Sequence, residues 1–324
     1  MRPAPAQTPD DMVYVPGGTF LMGSDDHYPE EGPAYRVTVD AFFMDRTPVT
    51  NAEFARFVEA TGYVTEAERP PDPRLYPGIR PEMIYAGSLV FVPPPGPVDL
   101  TDFRQWWRFE PGADWRHPLG ADSTIEDRMD HPVVHVSFTD AAAYARWAGK
   151  ELPTEAEWEF AARGGLDGAP FAWGDELEPG GQPMANIWQG EFPWQNLLRD
   201  GWLRTSPVGA FPPNGYGLVD MIGNVWEWTD DWYRARHPEV APKACCIPRN
   251  PRGGSEAESL EPGLPEIPRK VIKGGSHLCA PNYCRRYRPA ARQPETIDTS
   301  ACHLGFRCVR RLPRADPAPL ERGG

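Results

Sequence analysis

Residues 131–165 have the sequence HPVVHVSFTDAAAYARWAGKELPTEAEWEFAARGG, which predicts two short helices in succession. In the first, DAAAYARWAGK, the expected N-cap is Ser137 or Thr139. In the second, Thr154 and Glu157 have the spacing of a capping box, in which each side chain bonds the other residue's backbone amide. Short helices bounded by glycine and proline indicate a domain in which much of the chain is irregular.

Towards the N-terminus, TNAEFARFVEATG predicts a third helix with a capping box at Thr50 and Glu53 and an end at Gly62. Ahead of it, MVYVPGGTFLMGS predicts a hairpin, because apolar residues alternate on both sides of Pro-Gly-Gly. YRVTVDAFFMD, KVIKGGS and GFRCVRR have strand patterns. Residues 66–130 and 164–220 show no periodicity, and 250–268 is predicted to be an exposed surface loop.

Composition supports one ordered domain rather than a disordered chain. The 31 Gly and 40 Pro among 324 residues are interspersed with 12 Trp, and large apolar rings indicate a packed core. There is no internal repeat and no linker between two cored halves. We therefore expect a single α/β (α+β) domain of low regular content over residues 11–312, with a loose arm at 1–10 and a loose tail at 313–324.

Charge excludes several kinds of partner. With 33 Lys+Arg against 46 Asp+Glu, the net charge of −13 argues against nucleic acid or an anionic membrane surface. No stretch approaches the roughly 18 consecutive apolar residues of a membrane span. MRPAPAQTPDD has no apolar signal core, so we expect a cytoplasmic protein.

All six cysteines lie in the last quarter of the chain, and one pair has the spacing of a candidate site. Cys279 and Cys284 flank Pro281-Asn282, and a turn there would bring the two sulfurs together. The arginines that follow favour the thiolate form. Two thiolates without histidine or carboxylate partners suit Cu(I) better than zinc. A disulfide, or two inert buried thiols, is the competing interpretation, which the spacing alone does not exclude.

The other four cysteines have no comparable pattern. Cys245 and Cys246 are adjacent, and we expect thiols without a role in the reaction. Cys308 lies in an expected core strand, where a cysteine behaves as a small apolar residue, and Cys302 precedes it by six positions.

Two oxygen-rich segments are candidate calcium sites. ANIWQGEF with the later RDGW offers Asn186 and Asp200, and VDMIGNVWEW offers Asp220 and Glu227 around a Gly-Asn pair. Calcium takes several such oxygens, including carbonyls of irregular backbone. Turns with solvated acids are the competing interpretation.

Together these strings resemble the formylglycine-generating enzyme family, also called sulfatase-modifying factors. The resemblance extends over nearly the whole chain, and ANIWQGEFPW and the CxxxxC between GGS and RYR are its most specific parts. It implies a single domain related to the C-type lectin fold. It also implies a copper-dependent oxidase that uses O2 to convert a cysteine in the CxPxR motif of an unfolded or nascent sulfatase to Cα-formylglycine. Separately from the resemblance, we expect a monomer.

The resemblance also implies roles for particular residues. Cys279 and Cys284 correspond to the copper-binding active pair, and Ser276 to the serine beside it. The implied ligands of the first calcium are Asn186, Ile187, Asp200 and Trp202, and those of the second are Asp220, Gly223, Val225 and Glu227.

The chain departs from the family pattern at several of these places. Asp220 replaces an Asn and Pro48 replaces a Glu ligand, both at the second calcium site. Ala162 and Pro289 occupy positions where secreted relatives carry disulfide cysteines, which agrees with a reducing compartment. His303 replaces an active-site Asn.

Two other functions are compatible with these motifs. A non-catalytic member would bind sulfatases or another protein, but a binder has no need for both Cys279 and Cys284. The lectin-fold domain of an iron-dependent sulfoxide synthase would require a His-rich helical bundle ahead of the first strand.

Overall fold

The computed structural model describes residues 11–239, 247–263 and 265–313. Within these ranges, long irregular segments connect short strands and helices. The strands are β1 (Met12–Val15), β2 (Gly18–Met22), β3 (Tyr35–Val39), β4 (Phe42–Asp45), β5 (Gly87–Phe91), β6 (Trp107–Pro111), β7 (Trp226–Trp232), β8 (Arg269–Lys273), β9 (Arg292–Thr296), β10 (Leu304–Gly305) and β11 (Val309–Arg311). The helices are α1 (Asn51–Thr61), α2 (Phe138–Trp147), α3 (Glu155–Arg163) and α4 (Glu256–Ser259). The predicted mixed fold of low regular content is confirmed.

The three predicted helices begin where their caps were expected. Thr50 and Thr154 each close a capping box, and α1 ends at Gly62 in the left-handed conformation. For α2 the structure selects Ser137 as the N-cap, with Asp140 completing the box. These predictions succeed because a cap is a contact between residues three positions apart.

The predicted hairpin of residues 12–22 is wrong, although both of its strands exist. β1 pairs with β4, which also pairs with β11, whereas β2 pairs with β3. The corner between β1 and β2 packs closely on a neighbouring loop, since a Cβ on Gly17 would lie 2.6 Å from the Ala41 nitrogen. Strand pairing depends on distant partners, so the alternation predicts the strands but not which strands pair.

The sheet that carries the candidate site has the order β10-β7-β8-β9, with β10 parallel to β7 and the other pairs antiparallel. The sequence did not predict β7 or β9. Nor did it predict the β5–β6 hairpin, which lies inside the Pro-rich stretch, or the single-turn helix α4 inside the expected 250–268 loop. Every residue of α3 is buried, and this helix packs against β2, β3, β7 and β8.

Most buried apolar side chains form one core around Trp158 and Trp228. A smaller cluster lies beside the candidate site and includes Phe91, Trp188 and Phe192. Among the described residues, no helix is long and apolar enough to span a membrane.

Candidate active site

The chain reverses between Cys279 and Cys284, as the sequence predicts. The amides of Tyr283 and Cys284 both donate to the Ala280 carbonyl, at 3.2 and 2.9 Å. Upstream, Gly275 adopts φ +70° at a close approach, where an added Cβ would lie 2.9 Å from the Arg286 carbonyl oxygen. The turn therefore fits tightly against the segment that follows it.

This turn brings the two thiols together. The Sγ atoms of Cys279 and Cys284 are 3.1 Å apart, and both side chains are buried. The separation is longer than the roughly 2.05 Å of a disulfide, so both cysteines are free. The amide of Ser276 points at the Cys279 Sγ at 3.4 Å. Two adjacent sulfurs in a buried turn form the donor set that a soft monovalent metal prefers.

The two thiols differ in acidity. The hydrogen bond with Cys279 lowers the pKa of Cys284 to about 6; burial opposes this shift, and the nearby Arg286 cation supports it. Burial raises the pKa of Cys279 well above its usual value. The arrangement thus favours ionisation of Cys284 over ionisation of Cys279.

Arg286 is a cation that contacts the cysteine pair. Its guanidinium lies 4.0 Å from the Cys284 Sγ, donates to Glu30 at 2.6 Å and stacks 4.0 Å above the Tyr28 ring. Arg288, one of the arginines that follow the cysteine pair in sequence, instead forms a buried ion pair with Glu31. The sequence gives no sign of the Tyr28 and Glu30 contacts, because more than 250 residues separate these positions from Arg286.

The segment ANIWQGEF packs directly against the cysteine turn. The Trp188 amide donates to the Cys279 carbonyl at 3.0 Å. Asn282, at the tip of the turn, accepts from the Phe192 amide at 3.3 Å and donates to its carbonyl at 3.2 Å. The first candidate calcium segment is therefore also a support for the cysteine pair.

Within that segment, an acidic oxygen lacks a partner. The Oδ2 of Asp200 is buried and accepts no hydrogen bond from the described residues, whereas Oδ1 accepts from the Trp202 amide at 3.0 Å. Burial raises the pKa of Asp200. The side-chain nitrogen of Asn186 is bonded to the Arg204 carbonyl, which leaves its oxygen available, and Ile187 follows in the same loop. These oxygens fit a hard cation such as calcium.

The second candidate calcium segment is arranged differently. Both carboxylate oxygens of Glu227 accept from the Arg307 guanidinium at 2.8–3.0 Å, and Oε2 also accepts from Trp158 Nε1 at 2.7 Å. Arg307 further donates to the carbonyls of Val219 and Asp220, both at 3.0 Å. The Arg307 cation already compensates the buried charge of Glu227 and would repel a second cation beside it, so this residue does not fit a calcium ligand.

The other three proposed ligands of the second calcium lie just before β7. Asp220 accepts from the Gly209 amide at 2.6 Å, and burial raises its pKa to about 6. The amide of Gly223 donates to the Gly274 carbonyl at 3.0 Å, and Val225 is buried. Their backbone ties β7 to the turn that follows β8.

Asn224 is a connecting residue that the sequence did not single out for a role. Its side-chain oxygen accepts from the Ser206 backbone amide at 3.0 Å. Its backbone amide donates to the Asn186 backbone carbonyl at 2.8 Å. The Asn224 carbonyl accepts from the backbone amide of His277 at 3.1 Å. One residue therefore links the Asn186 loop to the stretch between Ser276 and Cys279.

Ser276 lies beside the pair and contacts His303, whose Nδ1 is 3.1 Å from Ser276 Oγ. The remaining described cysteines are buried and free: Cys302 accepts from the Phe91 amide, and burial raises the pKa of both Cys302 and Cys308. Cys245 and Cys246 lie outside the described residues. In the described ranges, no three His, Cys, Asp or Glu side chains converge on a metal position.

The fold is a single mixed domain, and its candidate active site is a turn with two buried cysteine thiols. Comparison with known proteins identifies the family. Residues 1–312 match the model of the sulfatase-modifying factor enzyme 1-like domain. The chain therefore belongs to this family, whose fold is related to that of C-type lectins.

Individual relatives cover almost the full length. The chain is 57% identical over 308 residues to the formylglycine-generating enzyme of Mycobacterium tuberculosis, covering 95% of this chain and 98% of that protein. It is 40% identical over 306 residues to the inactive C-alpha-formylglycine-generating enzyme 2 of Mus musculus, covering 92% and 85%. Among solved structures, PvdO from Pseudomonas aeruginosa has a TM-score of 0.58 at 26% identity, covering 93% and 94%.

Proposed function

We propose that this protein converts a cysteine in the CxPxR motif of unfolded or nascent sulfatases to Cα-formylglycine, using O2 and copper. The observation that carries the proposal is the 3.1 Å contact between Cys279 and Cys284 in a buried turn. It is supported by a relative named as a formylglycine-generating enzyme at 57% identity.

The donor set fits Cu(I). Cys279 and Cys284 would hold the ion, because they are adjacent free thiols without a nearby carboxylate or histidine ligand set among the described side chains. When bound there, copper would supply the redox chemistry toward O2. The protein's own contribution is to keep Cys284 ionised beside Arg286 and to hold the turn rigid through Trp188.

One calcium fits the Asn186–Trp202 loop and would act on the site indirectly. The unpartnered Asp200 oxygen and the Asn186 oxygen, with the Ile187 and Trp202 carbonyls, would hold it. Ordering this loop fixes Trp188, whose amide holds the Cys279 carbonyl. The second proposed set does not fit, because the Arg307 cation already compensates the charge of Glu227.

The function is tested by incubating the purified protein with Cu(I) and a CxPxR peptide in air and detecting the aldehyde by mass spectrometry. Cys279→Ala and Cys284→Ala should each abolish conversion while leaving the melting temperature close to wild type. Cys308→Ala is the matched control, because Cys308 is equally buried but contacts neither thiol. Near-wild-type conversion by either active-pair variant would exclude the assignment.

A non-catalytic family member is the second candidate, since an inactive enzyme is among the relatives. Such a protein would bind the peptide without forming aldehyde. Fluorescence anisotropy of a labelled CxPxR peptide, measured on the same sample before the aldehyde assay, separates binding from conversion. Cys245→Ser with Cys246→Ser should be silent in both measurements.

The cellular setting belongs to the same proposal. Free thiols at all four described cysteines support a reducing compartment, and we propose a cytoplasmic monomer. Light scattering tests the oligomeric state, and fractionation of the producing cells tests the location.

A further inference from the structure

The backbone of His303 is fixed at the end of the central sheet. Its carbonyl accepts from the Trp226 amide at 2.8 Å, where the short strand β10 joins β7 in parallel. The ring lies edge-on to Trp107, with 4.9 Å between ring centroids. The imidazole is thus held between a strand end and an aromatic wall, beside Ser276.

The contacts of Ser276 leave its hydroxyl proton free to bond His303 Nδ1. Ser276 Oγ accepts from the Leu278 amide at 3.2 Å and lies 3.1 Å from His303 Nδ1. Because the Leu278 amide already supplies a proton to Oγ, the hydroxyl can direct its own proton to Nδ1. Partial burial, together with the neighbouring His277 and His135, lowers the pKa of His303 below its usual value, so the ring is neutral near pH 7. A neutral ring that accepts at Nδ1 carries its hydrogen on Nε2.

The Nε2 of His303 has no partner among the described residues, and the side chain is only half-buried. Two neighbouring histidines are different. His135 uses both ring nitrogens, bonding Ser88 and the Pro118 carbonyl, whereas the unpartnered Nε2 of His277 is fully enclosed. His303 therefore offers an unused donor with access to solvent next to the active pair.

We propose that His303 is a substrate-binding residue: Nε2–H donates to a backbone carbonyl of the substrate polypeptide near the target cysteine, while Nδ1 holds the Ser276 hydroxyl. An unfolded substrate presents free carbonyls along its whole length, so such a donor suits it. The inference rests on the proposed function and deepens it by assigning a contact with the substrate.

Three substitutions separate the two nitrogens. The amide of His303→Asn reaches the position of Nδ1 and retains the Ser276 contact, and the amide of His303→Gln reaches the position of Nε2 and retains the outward donor. His303→Phe removes both but keeps a ring against Trp107. The first readout is binding of a fluorescent CxPxR-type peptide with Ser replacing Cys to the full-length, metal-free protein. The second is KM and kcat for the cysteine peptide with the copper-loaded protein.

We expect His303→Gln to bind the serine peptide within about twofold of wild type. His303→Asn and His303→Phe should bind it about 5- to 10-fold more weakly, the usual effect of one lost hydrogen bond. In turnover, His303→Asn should raise KM and retain kcat, whereas His303→Gln should retain KM. Melting temperatures within a few degrees of wild type establish that each variant is folded.

Equal binding by wild type, His303→Asn and His303→Gln overturns the inference, as does equal weakening of all three variants, which would indicate packing against Trp107 instead. A wild-type protein that binds the peptide but never forms aldehyde refutes the proposed function, while the binding series still decides the role of His303. A wild-type protein that does neither overturns both.

Discussion

Asp200 and Glu227 belong to two segments with the same kinds of residue in sequence, yet their carboxylates are satisfied in opposite ways. One oxygen of Asp200 is buried without a partner. Both oxygens of Glu227 are bonded to Arg307, and one is also bonded to Trp158. Pairing with a cation stabilises a buried charge. Buried Glu227 is paired with Arg307, whereas half-buried Asp200 forms no ion pair with the described residues.

The difference shows what a carboxylate in a loop-rich domain can signify. At Glu227 the guanidinium is enclosed by a carboxylate and by the Val219 and Asp220 carbonyls, an oxygen environment of the kind calcium also takes. At Asp200 the equivalent role is open to an external ion. We therefore expect one tightly bound calcium per chain, and the predictions below test that number.

The largest effect should follow from removing the internal cation. Arg307→Met leaves Glu227 as an uncompensated buried charge, which typically costs about 3–5 kcal/mol of the free energy of unfolding. Urea unfolding measures the loss. Arg310→Met is the matched control, because Arg310 lies three positions further along the chain, in β11 (Val309–Arg311), and is exposed. A variant of Arg307 that remains as stable as wild type would show that the ion pair does not perform this role.

Removal of calcium should have the next largest effect. A ligand that binds only the folded state stabilises it by roughly 3–4 kcal/mol at about 100 to 1,000 times its dissociation constant. Chelation should lower the melting temperature, and Asp200→Asn should reproduce most of that loss. Exposed Asp122→Asn is the control. Elemental analysis should find one calcium in wild type and in Glu227→Gln, and none in Asp200→Asn; two in wild type would contradict the comparison.

Calcium should also affect turnover, because the Asn186 loop holds the cysteine turn through Trp188. We expect chelation or Asp200→Asn to reduce the rate of peptide conversion while both thiols remain free and titratable. If the calcium-free protein converts peptide at the full rate below its melting temperature, the loop stabilises the fold without positioning the pair.

The number of residues between two contacting positions explains which features the sequence predicts. The Thr50 and Thr154 caps and the Cys279–Cys284 turn are contacts across three to five positions, and each is found as expected. The partner of β1 and the contact of Arg307 with Glu227 depend on residues far away in the chain. No local pattern encodes them.

The sequence likewise fails to predict two of the strands and the long-range contacts at the site. The Pro-rich stretch conceals β5 and β6, because proline and charged residues there obscure the alternation typical of strands. Glu30 and Tyr28, which hold Arg286 beside Cys284, are joined to it only by the fold. Resemblance to a family supplies residue roles, but the pairing of Glu227 with Arg307 becomes evident only from the three-dimensional contacts.

A pH dependence distinguishes the two segments by its sign. Burial raises the pKa of Asp220 from 3.8 to about 6, so the folded state binds this proton more tightly than the unfolded state does. The free energy of unfolding should then fall as the pH rises from about 4 to about 6, by about 1.4 kcal/mol for each unit of pKa difference. Asp220→Asn should remove that fall, so its stability relative to wild type should increase with pH.

A calcium ion at this position would keep Asp220 ionised and produce the opposite trend, with wild type gaining stability over Asp220→Asn as the pH rises in the presence of calcium. Urea midpoints measured across this pH range, with calcium and with chelator, therefore test whether the Asp220 segment lacks the ion that we assign to Asp200.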